Sequence, residues 1–248
     1  MRHLLVTGAT SGIGLAVAEA ALERGHRVVG VGRDWGKVAG TDGALQRETL
    51  DLADLDALPA GLEGLARRHP GIDALVCCAG AGRFGHLEEF AYSQIRHLLD
   101  LDFTAQAFCA RAFVPAFKGK GGGDIVFIGS EAALRGSRQG SVYCAAKFAL
   151  RGFAQGLRAE CAAAGVRVAL VNPGMVRTPF FADLGFEPGP APEHALEPGT
   201  VAAAVLHALE APAEAHIDEI NLSPLKHAID FTKRSTGPRK PATDRGEP

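Results

Sequence analysis

Short apolar runs alternate with longer helical stretches along almost the whole chain, and that alternation limits the folds open to it. Strand-like runs fall at about 3–7, 27–32, 72–79, 124–129, 166–172 and 216–222, with helical stretches near 12–24, 55–69, 88–117, 141–163 and 199–210 between them. Repeated strand–helix–strand units imply right-handed crossovers and a parallel sheet covered by helices on both faces. The predicted fold class is therefore α/β, a doubly wound parallel sheet in a single domain spanning residues 1–232. At 248 residues the chain is long enough to bury such a core. Ligands of these sheets bind beyond the carboxyl ends of the strands. Thr7, Ala79-Gly80, Ser130 and Asn172-Pro173-Gly174 each follow a strand-like run, so they converge on one rim.

Two segments at that rim carry chemistry. Between the first strand and an Ala-rich helix lies Thr7-Gly8-Ala9-Thr10-Ser11-Gly12-Ile13-Gly14. Glycines at a strand-to-helix turn let the backbone approach a pyrophosphate, and free N–H groups at the helix start point toward its charge. The spacing is G-x-x-x-G-x-G, not the commoner G-x-G-x-x-G, but the strand before it and the helix after it supply the context such a motif requires. In Ser141-Val-Tyr-Cys-Ala-Ala-Lys147, Tyr143 and Lys147 stand four apart, so a helix puts phenol and ammonium on one face. A phenol ordinarily ionises near pH ~10, too high to cycle at neutrality, and a neighbouring ammonium lowers that value. Ser130 can hold a substrate oxygen beside the phenol. Together the three make acid–base machinery for interconverting a carbonyl and an alcohol. Alone, Tyr143 would read as a core aromatic and Lys147 as a solvated charge; the Gly turn and Ser130 in register favour the chemistry.

With these motifs the chain resembles the short-chain dehydrogenases/reductases, in the branch whose members have about this length. The likeness runs from about residue 3 to about residue 225 and includes Asn172-Pro-Gly-Met-Val-Arg-Thr178, similar to the family's N-P-G-x-V-x-T segment near the nicotinamide. The resemblance implies a Rossmann-like sheet and an oxidoreductase acting on CH–OH groups with NAD(P) as acceptor, its substrate a small carbonyl or alcohol. It makes Tyr143 the acid/base. Lys147 lowers the phenol's pKa and binds the nicotinamide ribose, and Ser130 orients the substrate oxygen. It places Gly8, Thr10, Ser11, Gly12, Ile13 and Gly14 at the cofactor's phosphates and Asp51 near its adenine, unless Asp51 simply caps a turn. Leu52, Ala79, Gly80, Pro173, Gly174 and Val176 follow along the cofactor, and Thr178 orients its carboxamide. Gly32 falls where NAD-preferring relatives carry Asp, and Arg33 where NADP-preferring ones carry Arg. A guanidinium matches a phosphate in fork geometry, so the expected cofactor is NADP(H) in preference to NAD(H), with Asp34 as an alternative acidic partner.

Two departures from the family pattern stand out. Where relatives carry N-N-A-G this chain has Cys77-Cys78-Ala79-Gly80, and thiols hydrogen-bond weakly, so amide bracing of that strand is lost. The family Asn, twenty-eight residues before the Ser, falls on Asp102. In relatives that Asn helps hold a water in a proton relay through the Lys. An ionised Asp cannot donate, although its backbone carbonyl can still hold the water, so turnover is slower or differently pH-dependent, or the residue has no catalytic duty. These departures keep open a non-catalytic dinucleotide-binding redox sensor or scaffold, and an epimerase or dehydratase that retains the cofactor. The apolar, Pro- and Gly-rich stretch 178–198, with Phe180, Phe181, Leu184 and Phe186, reads as a substrate lid for an apolar or mid-sized molecule. Glu131, Arg135 and Arg138 border the pocket, where an Arg either holds an acidic substrate or is a solvated loop charge. Relatives pair the helix near 88–117 with the Tyr143 helix across a dimer, which implies a homodimer or homotetramer.

Bulk properties exclude other classes. A net charge of −2 without a basic stripe argues against nucleic-acid binding. No apolar run is long enough for a membrane span, and the N-terminus enters the first strand directly, predicting no signal peptide. Five cysteines, odd in number and set in apolar runs, suggest free thiols in a reducing cytoplasm. Histidine and cysteine spacing supports no metal site. Residues 233–248, charged and without apolar periodicity, are expected to be disordered.

Overall fold

The computed structural model describes residues 1–36, 38 and 43–231. The strands are β1 (His3–Thr7), β2 (Arg27–Gly32), β3 (Leu45–Thr49), β4 (Ala74–Cys77), β5 (Gly123–Ile128), β6 (Val166–Pro173), β7 (Phe186–Pro188), β8 (Glu219–Leu222) and β9 (Ile229–Phe231). The helices are α1 (Gly12–Glu23), α2 (Leu58–Arg68), α3 (Tyr92–Leu99), α4 (Ala105–Gly119), α5 (Ser141–Cys161) and α6 (Pro198–Leu209). Seven strands form one sheet in the order β3-β2-β1-β4-β5-β6-β8, every neighbouring pair parallel. The order reverses between β1 and β4, and the crevice outside such a switch point is where these sheets take ligands.

Alternating side chains build two cores. Leu5, Ile125, Phe127, Val168 and Leu170 face α2, α4 and α5, while Leu4, Val6, Val126, Ala169 and Val171 face α1 and α6. Both faces of the central strands are dry, which is why they read as unbroken apolar runs. β4 is shorter than the 72–79 run because the N–H groups of Cys78 and Ala79 turn away to the Thr7 hydroxyl, at 3.1 and 3.2 Å.

Two expectations are corrected here. The stretch 88–117 is not one helix: α3 and α4 are separated by a π turn at Asp100–Thr104. A π turn carries an extra residue, so the buried faces on either side fall out of register, and here Asp102 sits in the wide turn completely buried. The stretch 178–198 is not wholly irregular either. Its β7 pairs antiparallel with β9, Phe186 opposite Phe231 and Pro188 opposite Ile229. The boundary at 232 and the expected disorder of 233–248 lie outside the described residues. No helix among the described residues is long and apolar enough to cross a membrane.

Candidate active site

The turn after β1 forms a cradle. Gly8 has φ +68°, a conformation side chains rarely adopt, and a Cβ there would stand 3.0 Å from the Ala79 backbone. A Cβ on Gly14 would run into the Gly8 carbonyl oxygen, so α1 and the turn could not close together. Ser11 precedes α1 without capping it through its side chain, leaving the first amides of the helix uncommitted to that residue. Thr178 closes the cradle from the lid side, its methyl 3.2 Å from where a Gly12 Cβ would be. Backbone approach, exposed amides and a small-residue floor fit a dinucleotide pyrophosphate.

The residues expected at the adenosine end lie beyond β2. A Cβ on Gly32 would collide with the Thr10 methyl, so the acidic side chain of NAD-type sites has no room there while Thr10 stays in place. Arg33 is exposed beside it, and Asp34 is engaged by the Gly36 N–H at 2.8 Å. Asp51 accepts the Ala53 N–H at 3.0 Å, the turn-capping alternative, and Leu52 next to it is buried. Ala79 and Gly80 continue the rim past β4. Their bracing, which Cys77 and Cys78 cannot supply, comes from two residues the sequence did not mark for the task. Thr7 accepts from the backbone there, and the buried Gln106 amide donates to Ala79 O at 2.7 Å and Leu101 O at 3.0 Å. A Gln in an apolar helix carries no signal of that role.

At the end of β6, the buried Asn172 donates to Asn221 on β8 at 2.9 Å and the Gly174 N–H bonds Leu222 O at 2.7 Å, anchoring Pro173 and Gly174. Val176 is buried against Leu196, and Thr178 caps the short helix Pro179–Phe181.

The catalytic candidates lie on and beside α5. Tyr143 and Lys147 share its buried face, and the ammonium sits 5.6 Å from the centre of the phenol ring. Ser130, between β5 and a short turn of helix, hydrogen-bonds the Tyr143 hydroxyl and also accepts the Ala132 N–H at 3.1 Å. Asp102 completes the group, its carboxylate 2.9 Å from Lys147 Nζ. One expectation holds only in part. Burial pushes the Tyr143 phenol above its ordinary value; Lys147 and the Ser130 hydrogen bond pull it back, but Asp102 opposes them. Lys147 therefore acidifies the phenol only in part. Burial works against the Lys147 ammonium, yet Asp102 and Tyr143 hold it above its ordinary range. Burial likewise drives the Cys78 thiol up to about 12, with Lys147 pulling the other way, and pushes the Cys77 thiol well above its ordinary value. Thiols so firmly protonated are poor redox centres.

Aromatic side chains roof the site. Phe84 and Phe180 lie 5.1 and 6.1 Å from the Tyr143 ring, and Phe181 and Phe186 extend the cluster outward. Phe180 packs so closely on Gly82 that a Cβ there would clash with its ring. Phe84 was not marked by the sequence, since one aromatic after a strand has no distinguishing neighbours. Arg135 and Arg138 are exposed outside this roof. A separate cavity of about 560 Å³ opens beside the lid, lined by Arg177, Thr178, Phe181 and Asp230; Tyr143 does not line it. Among the described residues no group of potential metal ligands occurs.

Comparison with known proteins matches this architecture. A family model described as short chain dehydrogenase aligns with residues 2–187. An uncharacterized oxidoreductase of Staphylococcus saprophyticus is 27% identical over 229 residues, covering 89% of this chain and 96% of the relative. A short-chain dehydrogenase from Sphingobium yanoikuyae, solved in complex with NADPH, superposes with a TM-score of 0.79 at 28% identity, covering 92% of this chain and 89% of that one. An alcohol dehydrogenase from Thermococcus sibiricus shares the fold at a TM-score of 0.82 and 24% identity, covering 92% of this chain and 99% of that one.

Proposed function

The chain belongs to the short-chain dehydrogenase family, and from that premise we propose that it is an NADP(H)-dependent oxidoreductase moving hydride between the nicotinamide and a carbonyl/alcohol pair. One observation carries the reading: Ser130, Tyr143 and Lys147 meet at the rim where the Gly8–Gly14 cradle opens. When bound, the cofactor supplies or takes up hydride. Every other part of the chemistry falls to this chain. Ser130 would hold the substrate oxygen, and Tyr143 would deliver the proton from its Oη to that oxygen in reduction and receive it in oxidation. Lys147, buried beside the phenol, would steady the charge left on it. The uncapped amides of α1, with Thr10 and Arg33, would hold the phosphates. Gly32 with Thr10, together with Arg33, favours the 2′-phosphorylated cofactor, and the NADPH complex of the Sphingobium relative agrees with that choice.

The roof of Phe84, Phe180 and Phe186 excludes water and favours an apolar, mid-sized carbonyl compound over an acidic one. We further take α4 and α5 to pair between subunits, where Phe148 is exposed and Phe108 and Phe153 are half-buried. The test of function is NADPH consumption with a panel of apolar ketones and aldehydes, run beside Tyr143→Phe. Loss of the proton donor should cost about 10²–10⁴ in kcat while cofactor affinity stays near that of the parent. Full activity in that variant would remove Tyr143 from the mechanism.

A further inference from the structure

Asp102 enters the site as a charge where the resembled pattern has an amide. It is completely buried in the π turn, and Oδ1 lies 2.9 Å from the Lys147 ammonium. The approach is oblique, so Oδ1 receives no directed hydrogen bond, while Oδ2 accepts the Ala81 N–H at 3.3 Å. Gly80 makes the room, for a Cβ there would stand 2.6 Å from Oδ1. Burial pushes the Asp102 carboxyl above its ordinary range and Lys147 pulls it back, so the carboxylate owes its charge to the ammonium beside it. Lys147 is then already paired with one anion when Tyr143 is called on to become a second. A phenolate would place two negative charges around a single ammonium in a site closed to water.

We propose that Asp102 is a positioning residue that holds Lys147 in a buried ion pair and keeps the proton on Tyr143, setting the site to donate a proton to a carbonyl and to accept one from an alcohol only in alkaline solution. The inference rests on the reading of Tyr143 as the acid/base of an oxidoreductase. The other groups facing the pair do not supply the missing positive charge. Tyr143 and Cys144 lie on the same helix as Lys147, Ser130 is a neutral hydroxyl, and the Cys78 thiol past β4 stays protonated. His97 on α3 pulls Asp102 down less than Lys147 or the Ala81 N–H does.

The test needs neither substrate nor cofactor. The chain has two tyrosines, and Tyr92 is 93% exposed on α3, so Tyr92→Phe leaves one phenol whose ionisation ultraviolet absorbance reads directly. In that background Tyr143 should ionise above the ordinary tyrosine range, and Asp102→Asn should move the midpoint to lower pH. Each unit of movement multiplies the phenolate fraction at a fixed pH about tenfold. Asp102→Glu restores the charge and should return the midpoint toward that of the parent. Losing Asp102 also loosens the proton on Lys147, which works in the opposite direction; phenolate absorbance reports the phenol alone and shows which effect wins. A midpoint that stays or rises in Asp102→Asn overturns the proposal. So does a parent phenol that ionises at or below the ordinary range, a measurement that stands even if the variant does not fold. With an alcohol substrate, the alkaline rise of oxidation should shift to lower pH in Asp102→Asn, whereas an equal loss at every pH would mark a structural role and overturn it. If the parent turns over no carbonyl at all, the functional reading fails while the titration still decides the ion pair.

Discussion

At the scale of single residues, the proposed selectivity and proton transfer rest on a few side chains whose neighbours decide what they can do. Arg33 is exposed, so in the proposed reading its guanidinium folds over a phosphate, and a Cβ on Gly32 beside it would collide with Thr10. Removing a charge-assisted contact of this kind costs about 1.5–3 kcal/mol. Arg33→Ala should therefore lower the ratio of kcat/KM for NADPH over NADH by roughly ten- to a hundredfold, measured with one substrate and both cofactors. An unchanged ratio would remove Arg33 from cofactor choice. The phenol of Tyr143 shows the same dependence on surroundings. Its burial raises the pH at which the base form appears, so oxidation should gain with rising pH while reduction persists through neutrality.

Among elements, the rim depends on a brace between α4 and the chain leaving β4. The Gln106 amide joins Ala79 O to Leu101 O, tying the π turn that carries Asp102 to the wall of the cofactor cleft. Gln106→Leu is close in volume but strands the Ala79 carbonyl, a penalty of about 1–3 kcal/mol. Denaturant unfolding should register that loss, and NADPH affinity should weaken with it. Stability and affinity both equal to the parent's would mean the brace is dispensable. The π turn itself illustrates why sequence periodicity ran straight through 88–117: apolar spacing identifies a buried helical stretch, but it does not show where an inserted residue shifts the face. Thr7 likewise looks like an ordinary strand end until its hydroxyl is seen collecting two N–H groups from the neighbouring strand's exit.

For the molecule as a whole, the 178–198 segment proposed as a lid is held from a distant part of the chain, since among the described residues β7 pairs with β9 in a two-stranded sheet apart from the main one. A chain ending at Ala228 should free the lid, raising KM several-fold with a smaller change in kcat, while one ending at residue 232 should behave as the parent. Steady-state kinetics on the two truncations separate the effect of β9 from that of the residues beyond it, and identical KM values would show that β9 does not restrain the lid. The parallel sheet was legible because strands buried on both faces must be apolar throughout and the intervening helices repeat their own period. The Gly8–Gly14 cradle and the shared face of Tyr143 and Lys147 were legible for the same reason: each is a pattern within a few consecutive residues, governed by local backbone geometry. What the amino-acid order determined alone is thus the alternation that builds the parallel sheet, the Gly-rich turn after β1 and the presence of a phenol–ammonium pair. Only the tertiary structure decided that Lys147 also faces Asp102, that burial outweighs its pull on Tyr143, and that β9 pairs with β7 in the 178–198 segment. Charge coupling and desolvation depend on distances between residues remote in the chain, and no local periodicity encodes those distances.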